Sequence, residues 1–169
     1  QNFQVDKALV RKAWIEEKAE GLIALSGAKE GEVGRAMLSA NGTADALLDE
    51  WMARFPGRFY LEVQRTGRQG EDVIVDESVR LGLAKNCPLV ATNEVMFITE
   101  EDFDAHEARV CINQSRTLDD PRRPRDYSDQ QYFRSAEEMQ ALFADIPSAI
   151  ENTVEIAKRC NIELDLGTY

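Results

Sequence analysis

The sequence contains a single histidine and three cysteines, and no two cysteines lie close together. A protein zinc site usually needs several His or Cys ligands at short spacings such as C-x-x-C, and this spacing is absent. An odd number of scattered cysteines also argues against a disulfide framework. The cysteines Cys87, Cys111 and Cys160 are therefore predicted to be reduced, structural thiols, since a free Cys usually behaves as a small buried apolar residue.

Basic residues are also scarce, because 20 Lys and Arg stand against 31 Asp and Glu, for a formal net charge of −11. A nucleic-acid-binding surface is normally basic, so this chain is not expected to bind the phosphate backbone of a nucleic acid by itself. An acidic surface favours basic partners instead.

The sequence lacks any apolar run near the roughly 20 residues that a membrane span needs. Residues 1–4 show no signal-peptide pattern, and the first residue is not Met. We therefore expect a cytoplasmic protein without membrane contact, and an internal part of a longer chain.

Apolar periodicity predicts a regular alternation of helices and strands. The three predicted strands cover residues 22–25, 58–64 and 89–92, and the predicted helices cover 4–19, 31–40, 43–55, 72–86 and 100–112. Alternation of this kind indicates right-handed parallel β/α units. Three parallel strands cannot close a sheet by themselves, so the fold class is α/β with further strands outside this sequence.

The composition changes at residue 117, where a Pro- and Arg-rich loop over 117–127 begins. Helical patterns follow this loop. We therefore divide the chain into residues 1–116, the β/α part, and residues 117–169, a loop and helical linker.

Several helix starts carry capping signals. Ser135 with Glu138 three residues later predicts a capping box. Thr43 and Asp145 are predicted N-caps of two further helices, and Pro147 fits the first turn after Asp145.

Polar residues follow the predicted strands at the positions where α/β proteins bind ligands. Glu62 and Glu94 end neighbouring strands and could face the same opening, where a carboxylate pair could hold a hard cation or transfer protons. The favoured interpretation is two solvated or salt-bridged acids. Met96, two positions after Glu94, is a poor ligand for a hard divalent ion.

His106 is open to two interpretations. As a functional residue it would be a metal ligand or a general base. As a structural residue it would pack or cap locally on its helix. With no second His and no Cys nearby, the structural interpretation is favoured.

Arg122, Arg123 and Arg125 form the one basic cluster. They could contact DNA phosphates or the carboxylates of a partner. They could equally pair with neighbouring acids of their own loop, and this is the favoured interpretation. Those acids are Asp119, Asp120 and Asp126.

Several long segments closely resemble the alpha subunit of bacterial DNA polymerase III, a C-family replicative polymerase. The resemblance implies the back half of the N-terminal PHP (polymerase and histidinol phosphatase) domain, which is part of a seven-stranded, TIM-like β/α barrel with parallel strands, followed by a helical linker. The segments that carry it are residues 90–97, 103–110, 117–125, 142–147 and 152–161.

The same resemblance implies a degenerate metal site. Metal-binding members have Cys after the Ser-Gly that closes an early strand, and this chain has Ala28 there. Their Asn-Asp-x-His pattern is replaced here by Glu94 and Met96 at the acid and imidazole positions. A His often found before Gly67 is Thr66. No catalytic, cofactor-binding or metal-binding residue is therefore expected in this segment.

For the parent chain, the resemblance implies template-directed DNA synthesis with Mg²⁺ and DNA contacts made elsewhere. This segment would dock the proofreading exonuclease (epsilon) subunit and pack on the polymerase core. The alternative is a metal-dependent phosphoesterase within the PHP domain, acting as a proofreading nuclease or pyrophosphatase.

Overall fold

The computed structural model describes residues 4–5, 7–8, 10–162 and 167. Two 3-10 turns, Ala28–Glu30 and Glu100–Asp102, accompany twelve regular elements. In chain order these are β1 (Gln4–Val5), β2 (Lys7–Ala8), α1 (Lys12–Glu17), β3 (Ala24–Leu25), α2 (Glu32–Ser39), α3 (Ala44–Arg54), β4 (Phe59–Val63), α4 (Glu71–Lys85), β5 (Leu89–Ala91), α5 (Phe103–Asn113), α6 (Ala136–Leu142) and α7 (Pro147–Arg159).

The centre of the fold is a parallel sheet in the order β3-β4-β5. Ala24 pairs with Phe59, and Leu61 pairs with Leu89. Strand β4 is buried at four of its five positions, and all three residues of β5 are buried. Burial at consecutive positions means that both faces of these strands are covered, so apolar residues follow one another instead of alternating with polar ones, and Glu62 is the one charged residue of β4. The predicted α/β class with parallel strands is confirmed.

The hydrophobic core lies between this sheet and its helices. Leu48 of α3, Leu61 of β4 and Leu81 of α4 have no exposed surface. Phe143 and Ala149, from the segment after residue 117, are equally buried in the same core. The change of composition at residue 117 therefore does not interrupt the core, although the division at 116/117 itself stays a prediction.

The first predicted helix is wrong over its front half. Residues 4–19 were expected to be one helix, but β1 and β2 pair antiparallel, with Val5 opposite Lys7, and only Lys12–Glu17 is helical. Four apolar positions over sixteen residues determine a helix weakly, and the backbone hydrogen bonds of a tight strand pair override such a pattern.

The capping predictions have three outcomes. The Ser135–Glu138 capping box is confirmed, with both reciprocal bonds present. Thr43 is at the N-cap position of α3, but its hydroxyl donates to Asn41 Oδ1 at 2.6 Å instead of capping. The Asp145 cap is wrong: helix α7 begins after Ile146, because the Asp145 carboxylate accepts hydrogen bonds from Arg65.

Two of the three cysteines are buried as predicted, namely Cys87 and Cys111. Cys160 follows α7 directly and is exposed, so the prediction of a buried structural thiol is wrong there. All three are free thiols.

The helices of the described residues are short, and the longest is α4 with 15 residues. None of them has the length and apolar character that a bilayer span requires.

Candidate functional site at the strand ends

Side chains join the three strands where their carboxyl ends meet. The Glu62 carboxylate accepts hydrogen bonds from the Gly27 backbone N–H at 3.1 Å and from Thr92 Oγ1 at 2.6 Å. Thr92 Oγ1 in turn accepts one from Gln64 Nε2 at 3.0 Å. Glu62 therefore bridges the turn after β3 to the residue after β5. Its carboxylate is engaged within the protein.

Arg68 is the centre of a second group, which we call the strand-end cluster: Gln64, Thr66, Arg68, Glu71 and Glu94. The Arg68 guanidinium donates to Gln64 Oε1 at 3.0 Å, to Thr66 Oγ1 at 3.0 Å and to Glu71 Oε1 at 3.1 Å. It also forms a salt bridge with Glu94 Oε2. The side chain of Arg68 is only 8% exposed, so these contacts are made largely away from water.

The loop before α4 is shaped to bring Arg68 to this position. Gly67 and Gly70 both have positive φ values, 79° and 87°, which glycine adopts without steric cost. Glu71, at the start of α4, accepts hydrogen bonds from the Thr66 backbone N–H and from the Thr66 hydroxyl, both at 2.6 Å. The loop is thus closed on itself around the buried Glu71 carboxylate.

The segment 128–132 covers the strand ends. Gln131 is fully buried; its Oε1 accepts from the Ser128 N–H at 3.0 Å, and its Nε2 donates to the Glu94 carbonyl at 3.3 Å. Asn93 Nδ2 donates to the carbonyls of Gln130 and Tyr132 at 2.9 and 2.8 Å. Side chains of Gln131 and Asn93 therefore tie this segment and the turn after β5 together through backbone groups, while the buried Asn93 Oδ1 has no hydrogen-bond partner among the described residues.

His106 is packed inside the protein, as the structural interpretation predicts. Its ring lies 5.4 Å from the Phe97 ring centroid and 4.6 Å, edge-on, from that of Tyr127. Because Arg109 can only donate, its contact with His106 Nδ1 at 3.0 Å makes Nδ1 the acceptor. Burial lowers the pKa of His106, and the nearby Arg109 charge lowers it further.

The basic cluster of the 117–127 loop is divided between different partners. Arg122 forms a salt bridge with Asp120 at 3.2 Å. Arg123 pairs with Glu107 of α5, and both side chains are largely buried. Arg125 is exposed. The three arginines therefore do not present a joint basic surface.

The PHP domain family matches residues 1–66. The DNA polymerase III alpha subunit of Pseudomonas aeruginosa is 60% identical over 162 residues, which is 95% of this chain and 14% of that protein. The resemblance to the alpha subunit of bacterial DNA polymerase III is therefore confirmed.

Further alpha subunits support the same relationship. That of Escherichia coli is 53% identical over 165 residues, 95% of this chain, and that of Haemophilus influenzae is 46% identical over 165 residues, 97% of this chain. The chain spans 14% of the length of these relatives.

The four positions that the family resemblance marks as former metal ligands lie in three different places in the structure. Thr66 and Glu94 lie together in the strand-end cluster, on opposite sides of Arg68 in the chain. Ala28 is buried at the first position of a 3-10 turn. Met96 lines a groove with Phe97 and His106.

These residues do not fit a metal ion. Ala28 offers no donor atom, Met96 offers only a thioether, and the Glu94 carboxylate is bound by Arg68. Within the described residues, no group of three or more His, Cys, Asp or Glu side chains is placed to hold a metal. A guanidinium among the remaining oxygens would also repel a second cation.

Sequence reasoning missed Arg68, Glu71 and Gln131. Neither residue type nor spacing assigned a role to the loop around Arg68 or to Gln131. The only sequence signal was the pair of glycines around Arg68, which marks a tightly turned loop but does not indicate what the arginine contacts.

Proposed function

We propose that this chain is the back half of the PHP domain in the alpha subunit of a replicative DNA polymerase, and that it acts there as a non-catalytic scaffold. Its three parallel strands would belong to a seven-stranded barrel completed by residues outside this sequence. The parent chain would carry out template-directed DNA synthesis with Mg²⁺, in the cytoplasm, through residues that lie elsewhere.

The position of Arg68 is the observation that supports the scaffold role most strongly. The carboxyl ends of the strands are where a barrel enzyme would bind its metal and substrate. Here an internal guanidinium binds the carboxylates of Glu71 and Glu94 at that place. Hydrolysis of a phosphoester by metal-activated water would need those oxygens free for the ion.

Two protein partners follow from this role. We infer that the segment packs on the polymerase core of its own chain and docks the proofreading exonuclease (epsilon) subunit. The acidic net charge of −11 fits protein contacts better than DNA contacts, which the parent chain would make elsewhere.

A hydrolysis assay separates the scaffold from the phosphoesterase alternative. The full-length protein, without the exonuclease subunit, is incubated with Mn²⁺ and an activated phosphodiester. We expect no hydrolysis that depends on Glu71 or Glu94, so Glu94→Gln and Glu71→Gln should match the exposed control Glu101→Gln. Hydrolysis that Glu94→Gln abolishes and Glu101→Gln retains would establish the phosphoesterase instead.

Docking is tested by hydrogen–deuterium exchange of the full-length protein with and without the exonuclease subunit. We expect peptides within residues 10–162 to exchange more slowly in the complex. Slower exchange confined to peptides outside this range would contradict the docking role.

A further inference from the structure

The strand-end cluster surrounds one positive charge with oxygen atoms. Four oxygens contact the Arg68 guanidinium: two from the carboxylates of Glu71 and Glu94, one from the amide of Gln64 and one from the hydroxyl of Thr66. Carboxylate, amide and hydroxyl oxygens are hard ligands of the kind that bind Mg²⁺, Mn²⁺ or Ca²⁺.

The cluster is also too buried to leave its charges unpaired. Thr66 has no exposed surface, and the side chains of Arg68 and Glu71 are 8% and 5% exposed. Removing one partner of a buried ion pair is strongly destabilising, because the remaining charge has lost water without gaining a counter-ion. The buried Glu71 carboxylate therefore needs a cation beside it for this arrangement to persist, and Glu94, which is 28% exposed, closes the cluster on its more open side.

We propose that Arg68 is a built-in cation that takes the place of a divalent metal ion at the strand ends, and that it keeps such an ion out. The planar guanidinium suits this role better than an ammonium group, because it presents several donors in fixed directions. It reaches the four oxygens through Nε and Nη2.

The same cation fixes the backbone on both sides of the cluster. Glu94 has φ of 44°, in the left-handed region that a non-glycine residue adopts only at a cost. Its salt bridge to Arg68 and the hydrogen bond from Gln131 to its carbonyl hold that conformation. On the other side, Arg68 holds the loop through Thr66 and Glu71. Arg68 thus joins the loop before α4 to the turn after β5.

The test is Arg68→Ala in the full-length protein, with Arg80→Ala as the matched control. Arg80 is an exposed arginine that also pairs with a glutamate, Glu77, three residues away. Bound Mn²⁺ is counted by equilibrium dialysis, so that other manganese sites of the protein appear equally in all samples. We expect one additional Mn²⁺ per chain in Arg68→Ala, and none in wild type or in Arg80→Ala.

Two further variants make the result specific. Adding Glu94→Gln to Arg68→Ala should abolish the additional ion, because a carboxylate ligand is lost. Arg68→Lys keeps a positive charge and should exclude the ion, and this comparison remains available if Arg68→Ala does not fold. Equal Mn²⁺ uptake by Arg68→Lys and wild type supports the proposal, while an extra ion in the lysine variant would overturn it.

Chemical rescue gives a readout that needs no metal. Hydrogen–deuterium exchange of residues 64–71 and 93–96 should accelerate in Arg68→Ala and slow again when dilute guanidinium is added, well below denaturing concentrations. Urea at the same concentration should not slow it. Wild-type exchange rates in the untreated Arg68→Ala protein, or stoichiometric Mn²⁺ at this cluster in wild type, would overturn the proposal.

Discussion

The side chain of Asn152 donates from Nδ2 to the backbone carbonyl of Leu89 at 2.7 Å, and so attaches helix α7 to the edge of strand β5 that faces away from β4. The hydrogen bonds from Leu61 N–H to Pro88 O and from Thr92 N–H to Val63 O direct the groups of residues 88 and 92 toward β4. Because strand residues alternate in direction, the Leu89 carbonyl points away from β4. The helix side chain satisfies this carbonyl, which β4 does not reach.

Asn152→Ala should therefore destabilise the chain by about 1–3 kcal/mol, since it leaves a buried carbonyl without a donor. Urea unfolding followed by circular dichroism measures the change. Glu151→Ala is the control, because Glu151 is exposed on the same helix. A loss no larger than that of the control would show that water satisfies the carbonyl instead.

The ion pair between Arg65 and Asp145 should contribute a modest, pH-dependent stability. Both carboxylate oxygens of Asp145 accept from Arg65, at 2.6 and 2.7 Å, and this lowers the pKa of Asp145. The stabilisation by this ion pair is fully present above the usual Asp pKa of about 4. It is lost as the pH falls through the lowered pKa of Asp145 in the folded chain. Because Asp145 is 60% exposed, we expect only about 0.2–1 kcal/mol.

Asp145→Asn should accordingly be less stable than wild type at neutral pH, and the difference should shrink on acidification below pH ~4. Urea unfolding at a series of pH values measures it. The exposed Asp119→Asn is the control and should show no such convergence. A constant difference between Asp145→Asn and wild type at all pH values would exclude the ion pair as its cause.

Local patterns were sufficient to predict much of the fold. Strand β4 is apolar or aromatic at four of its five positions, and the Ser135–Glu138 box lies within four residues, so each could be recognised from neighbouring positions. The start of α7 was predicted less well. The sequence around Asp145 fits a helix N-cap, but the Asp145 carboxylate pairs instead with Arg65, which lies 80 residues away.

The strand-end cluster could not be predicted for the same reason. Arg68 and Glu94 are 26 residues apart, and the covering Gln131 is a further 37 residues from Glu94. The sequence favoured a solvated or salt-bridged Glu94, and it neither chose between the two nor identified the partner. The contacts of Arg68 depend on how distant residues are arranged in the folded chain. An arginine between two glycines gives no periodic signal in the sequence.

Stability should fall as the pH drops below about 6.5, because of His106. In the folded chain the pKa of this ring is lowered mainly by burial and then by the Arg109 charge, although Glu107 acts in the opposite direction. The unfolded chain binds a proton at higher pH than the folded one, so acid favours unfolding. His106 is the only histidine of the sequence, which makes the effect separable.

His106→Phe should remove this dependence between pH 5 and 7, a range in which other side chains with ordinary pKa values change little. Arg109→Gln should make the pH dependence of stability shallower, since it removes the positive charge that disfavours protonation of His106. Urea unfolding at several pH values measures both. An unchanged slope in His106→Phe would assign the dependence to another group.

The three cysteines should differ sharply in their reaction with iodoacetamide. Burial raises the pKa of Cys87 to about 11, so its reactive thiolate is scarce at pH 8, and the side chain is also shielded. Cys111 is likewise buried, whereas Cys160 is exposed. We expect peptide mass spectrometry to find Cys160 modified first, and Cys87 and Cys111 only after denaturation. Cys160→Ser should eliminate the fast reaction, and early modification of Cys87 would mean that the packing of α7 and α4 over β5 opens in solution.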